Sequence, residues 1–128
     1  MFLSPLLDEQ AARCRLENAR NGRVLAERVI TAFDSATRRK GLLGLESWPE
    51  SSALIIAPTN AIHTFFMQFA IDVAFVRKDG RVVKTHAALR PWRIAAALGA
   101  NAVIELSAGA LSRADTIAGD QLVLVRAV

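Results

Sequence analysis

His63, Thr64, Met67 and Asp72 stand inside the longest apolar run of the chain, residues 61–76 (AIHTFFMQFAIDVAFV). An imidazole, a hydroxyl and a carboxylate set among apolar neighbours each need a hydrogen-bonding or charged partner. His63 and Met67 share a face whether the segment is a strand or a helix. Imidazole and thioether together suit a soft metal. Yet the chain has only one other histidine, His86, and one cysteine, Cys14, so a third ligand is lacking and neither metal nor cofactor is expected.

Asp72 opens a segment in which Ile71, Val73 and Phe75 alternate with Ala74 and Val76. Apolar content on both faces predicts a strand buried on both sides. A carboxylate there either ties down the adjoining loop through hydrogen bonds or pairs with a cation. Thr64, His63 and Arg38 are the candidate partners. In a catalytic arrangement Asp72 would fix the tautomer of His63, leaving the other ring nitrogen to act as general acid–base. Arg38 or Lys84 would then hold an anionic group. Ser107 and Ser112 lie in no nucleophile-elbow pattern, so a serine hydrolase is not supported. Glu105 interrupts Val103, Ile104 and Leu106; it is expected to face solvent or to answer a buried cation.

The elements that must position these groups are short. The 128 residues, 52% hydrophobic and 22% charged, fit one domain with a core of its own. Residues 1–12 read as a short N-terminal tail and 13–128 as a single β-rich domain. Asn21-Gly22 and Asp79-Gly80 are hairpin turns between β-branched segments. Ser35 is placed to cap a helix through ATRRKGLLG, closed at Gly44. ALIIA before Pro58, residues 103–106 and residues 121–128 read as further strands. Residues 87–102, broken by Pro91, give no clear pattern, and a short helix is expected near Leu111–Thr116. About seven strands and one to three short helices predict a mainly β fold: a compact antiparallel sandwich or partly closed barrel.

No run is long enough to span a membrane as a helix. The opening MFLSPLLDEQ lacks the basic start and cleavage site of a secretory signal, so a cytoplasmic location is expected. Cys14 has no histidine beside it and reads as a small strand residue. The net charge is +4 with thirteen arginines among sixteen basic residues. These are spread along the chain, the densest cluster being Arg38-Arg39-Lys40, and no aromatic RNA-binding motif accompanies them. Nucleic acid is therefore not an expected partner.

The order of these segments resembles a known family. ATRRKGLLG, LIIAP, IHTFFM, IDVAFVRKDGRVV and VIELSAG, followed by Gly119-Asp120, are similar to the prokaryotic domain of unknown function number 192 over residues 24–127. Arg38, Gly41 and Leu42 match its helix motif; His63, Thr64 and Met67 match a segment in which many relatives carry Trp-Met-Lys-Asn. Asp72, Glu105, Gly109, Gly119 and Asp120 match its remaining positions. The resemblance implies a small jelly-roll-like β-sandwich and no particular activity. Three functions stay open. The first is a small polar or anionic ligand bound around His63, Thr64, Met67 and Asp72, with Arg38 and Glu105 contributing. The second is an enzyme using His63 and Asp72. The third is an interaction module presenting an edge strand or the Trp48 and Trp92 loops.

Overall fold

Alternation in the apolar segments produces a sheet that is buried on both faces, and the rest of the chain covers it. The computed structural model describes residues 2–7 and 13–126. Its strands are β1 (Cys14–Asn18), β2 (Val24–Ala26), β3 (Arg28–Ala32), β4 (Ser52–Ile56), β5 (Ala61–His63), β6 (Ile71–Val76), β7 (Val82–Leu89), β8 (Ile94–Ala96), β9 (Ala102–Ser107) and β10 (Leu122–Arg126). Two short helices, α1 (Ser35–Lys40) and α2 (Ala110–Arg113), complete them. The strands form a five-stranded sheet, β3-β4-β9-β6-β7, a three-stranded sheet, β10-β1-β2, and a two-stranded ribbon, β5-β8. This is a mainly β sandwich and not a closed barrel. All pairings between these strands are antiparallel except β3 with β4, whose long connection through α1 permits a parallel crossover.

Side chains of the five-stranded sheet sort by twos onto its faces. Ala53, Ile55, Ala74, Val76, Ile104 and Leu106 join a core closed by the three-stranded sheet and α2. Leu54, Ile56, Ile71, Val73, Phe75 and Val103 join a second core, closed by Leu42, Met67 and Ala95 from α1's C-terminal turn and the ribbon. Every residue of β6 and β9 is buried, as the two-faced apolar pattern of residues 71–76 predicts.

Several local expectations shift. The arm after Asn21-Gly22 pairs with β1 only through Ala26, then breaks at Glu27 so that β3 enters the other sheet. Of the two turn residues only Gly22 takes positive φ. Asn21 instead donates from Nδ2 to the Ala114 carbonyl at 2.8 Å. Asp34, not Ser35, caps α1 by accepting from the Thr37 N–H at 2.8 Å, and the helix ends at Gly41 rather than Gly44. Phe2, Leu3 and Leu6 of the expected tail are buried in the larger core. Phe2 lies against the β6–β7 turn, where a Cβ on Gly80 would meet its ring at 2.6 Å. Residues 8–12 of that tail, and residues 127–128, lie outside the described residues.

Asp120 is more than a turn residue. Buried in the turn before β10, it accepts from Asn18 Nδ2 (2.8 Å), Arg20 Nε (2.7 Å) and the Ile117 N–H (3.0 Å). The Arg20 guanidinium holds its carboxyl well below the usual carboxylate range. Asp120→Ala strands these donors, including the fully buried Asn18 amide. We expect a loss on the order of 2–3 kcal/mol, seen as a Tm lower by roughly 10 °C in a thermal melt.

Candidate functional site

Asp72 is buried to 1% exposure at the start of β6, where β7 bulges. Its Oδ1 accepts from the Ala88 N–H in the bulge at 2.8 Å. Its Oδ2 accepts from the N–H groups of Gly109 (3.1 Å) and Leu111 (2.9 Å) at the start of α2. Gly109, the residue before that helix, has no side chain to cap it, and the carboxylate of another strand takes over. Asp72 lies opposite Leu106, which places it on the face of the larger core. It therefore does not orient His63: its hydrogen bonds go to main-chain donors, and His63 belongs to the ribbon over the opposite face. The expected His63–Asp72 dyad is replaced by a joint between β6, the β7 bulge and α2.

Thr64 likewise joins elements. Its buried hydroxyl donates to the Arg90 carbonyl (2.6 Å) and accepts from the Arg93 N–H (2.9 Å), and its main chain bonds Arg93 and Trp92. His63 is exposed, accepts from the Phe65 N–H at Nδ1 (3.2 Å) and stacks on the Phe65 ring. Lys84 donates to the Ala96 carbonyl (3.0 Å).

A cleft of about 290 Å³ opens where the cover of the second core is thinnest, between α1 with its following turn and the β5 segment. Arg38, His63, Met67 and Glu105 line it, so four of the six residues singled out by sequence converge there. Arg39 and Lys40, noted only as the densest basic cluster, join them. The Arg38 guanidinium braces the start of α1, donating to the Phe33 carbonyl at 2.6 Å. Arg39 and Lys40 make no ion pair among the described residues.

Glu105 is the floor of this cleft. It lies in the middle strand between Leu54 and Val73 and shares the face of Val103, beneath α1's C-terminal turn. A Cβ on Gly41 would stand 3.9 Å from its Oε1. Only 4% exposed, its Oε2 has no hydrogen-bond partner among the described residues. Neither expected outcome holds: it is not in solvent and no cation answers it. Burial alone pushes the carboxyl up to about 7. The signal was present in the sequence, since Ala102, Ile104 and Leu106 alternate with Val103 just as the residues around Asp72 do. Among the described residues no group of three His, Cys, Asp or Glu could hold a metal ion.

Two substitutions separate joint from cleft. Asp72→Asn turns an amide donor toward main-chain donors and is expected to lower Tm by roughly 10 °C, whereas exposed His63→Gln should stay within about 2 °C. Glu105 gives a pH test. Its folded pKa lies above its unfolded one, so its burial penalty is complete above about pH 7 and vanishes below about pH 4.5. Glu105→Gln should thus exceed the wild type in stability by on the order of 3 kcal/mol at pH 8 and by little at pH 4.5, measured by urea unfolding.

Comparison with solved structures supports the fold. A candidate transcription regulator from Sinorhizobium meliloti 1021 superposes with a TM-score of 0.76 at 23% identity, covering 87% of this chain and 91% of that one. A protein of unknown function from Novosphingobium aromaticivorans DSM 12444 superposes with a TM-score of 0.73 at 23% identity, covering 85% and 81%. No curated protein matches the chain. Residues 16–124 match the profile of DUF192, described as Uncharacterized ACR, COG1430, and with the helix motif, the cleft residues and the Gly119-Asp120 turn all inside that span, the chain belongs to this family.

Proposed function

We propose that the protein binds a small anionic molecule in the cleft between α1 and β5. The observation that carries this reading is Glu105 Oε2, buried without a partner among the described residues beneath a rim of basic side chains. An orphaned carboxyl destabilises the fold, and such costs are characteristic of functional positions. Arg39 and Lys40 supply positive charge that no carboxylate among the described residues neutralises. Glu105, in its protonated form, donates a hydrogen bond to a ligand oxygen; Met67 and Ile56 provide apolar contact beside it. His63 contributes a second ring nitrogen at the mouth.

The pKa near 7 favours one further reading, an enzyme in which Glu105 rather than His63 is the general acid–base. A carboxyl poised near neutrality can both give and take a proton there.

Thermal melts with phosphate, sulfate, acetate, citrate and sugar acids test the binding reading. A true ligand at a hundredfold excess over its Kd stabilises by about 2.7 kcal/mol, roughly 8–16 °C here. The gain should disappear in Arg39→Ala/Lys40→Ala. Absence of any stabilising anion, or a gain that survives this double substitution, rules the cleft out.

A further inference from the structure

The β5-β8 ribbon covers the second core with one face and turns a second apolar face outward. Ala95 and Ala97 point to the core, while Ile94 is 70% exposed and Leu98, in the turn beyond β8, is 92% exposed. At the other end Phe66 and Trp92 are 70% and 55% exposed, with ring centroids 4.6 Å apart. Both residues take φ of 65°, in the left-handed region that bulky side chains avoid. The fold therefore sustains backbone strain where it presents two large apolar rings to solvent, the usual mark of a constrained functional segment.

Charge decides what this face meets. Residues 51–71 and 80–104 contain no aspartate or glutamate, but the second span carries Arg81, Lys84, Arg90 and Arg93. Arg90 and Arg93 flank Trp92, are exposed, and make no ion pair among the described residues. An apolar face edged by unneutralised arginines, with a tryptophan at its boundary, matches the headgroup region of an anionic bilayer. Ile94 and Leu98 favour lipid over nucleic acid, because aliphatic groups gain from acyl chains and offer bases no stacking surface. We infer that the outer face of the β5-β8 ribbon, with Phe66 and Trp92, docks the protein on anionic lipid surfaces. No helix among the described residues is long and apolar enough to cross a membrane, so the contact is peripheral.

The test uses the full chain with Trp48→Phe, which leaves Trp92 as the sole tryptophan, and vesicles of phosphatidylcholine with or without phosphatidylglycerol. We expect co-sedimentation with the anionic vesicles, weakened by salt, and a blue shift of Trp92 emission. Trp92→Ser/Leu98→Ser, assayed by sedimentation, should reduce partitioning at least tenfold while leaving Tm unchanged. A wild type that stays in the supernatant, unshifted Trp92 emission, or full binding by the double variant would overturn the inference. So would preference for a single-stranded RNA oligomer over the vesicles, which would assign the face to nucleic acid.

Discussion

The five-stranded sheet must be covered on both faces, and the remainder of the molecule follows from that requirement. Apart from Asp72, Glu105 and Ser107, its central strands β6 and β9 carry apolar side chains on both sides, so neither face can be left to water. One side receives a full layer, the three-stranded sheet with α2 and the first residues of the chain. The other receives a six-residue helix, a turn and two three-residue strands. The thinner cover leaves a gap, and the gap is the cleft.

Two carboxylates in adjacent central strands show how much the choice of face matters. Asp72 points to the thickly covered side, where main-chain N–H groups from a bulge and a helix start reach it. It stays a well-bonded acceptor and joins three elements. Glu105 points to the thin side, where Leu54, Val73 and Val103 surround it and no donor among the described residues reaches its Oε2. The same functional group is thus a joint on one face and a neutralisable acid on the other. Arg39 and Lys40 stand at the rim above it, in no ion pair among the described residues.

Much of this was legible in the chain. The β6 alternation, the Asp79-Gly80 hairpin and the presence of a short helix around Arg38, though not its cap or its end, are local patterns, and local sterics and periodicity suffice to read them. His63, Met67 and Glu105 were recognisable as polar or soft groups in apolar surroundings and Arg38 through the family's helix motif, and all four line the cleft. The split of the second arm into β2 and β3 was not legible, because the break at Glu27 serves a sheet whose other strands lie far along the chain. Ribbon strands of three residues carry too few alternations to announce themselves, which is why residues 87–102 gave no pattern.

The sequence by itself determined the mainly β class, the doubly buried central strands and the family, since alternation and motif order are properties of the chain alone. Only the tertiary structure decided which polar groups are partners. Asp72 finds its donors 16, 37 and 39 residues away, in a main chain that no side-chain pattern reveals. Glu105 Oε2 finds none among the described residues, because sheet register sets its face and the thinness of the cover leaves it unanswered. Hydrogen bonding is short-ranged and directional, so the fate of a buried carboxylate is settled by what the fold brings within reach of it.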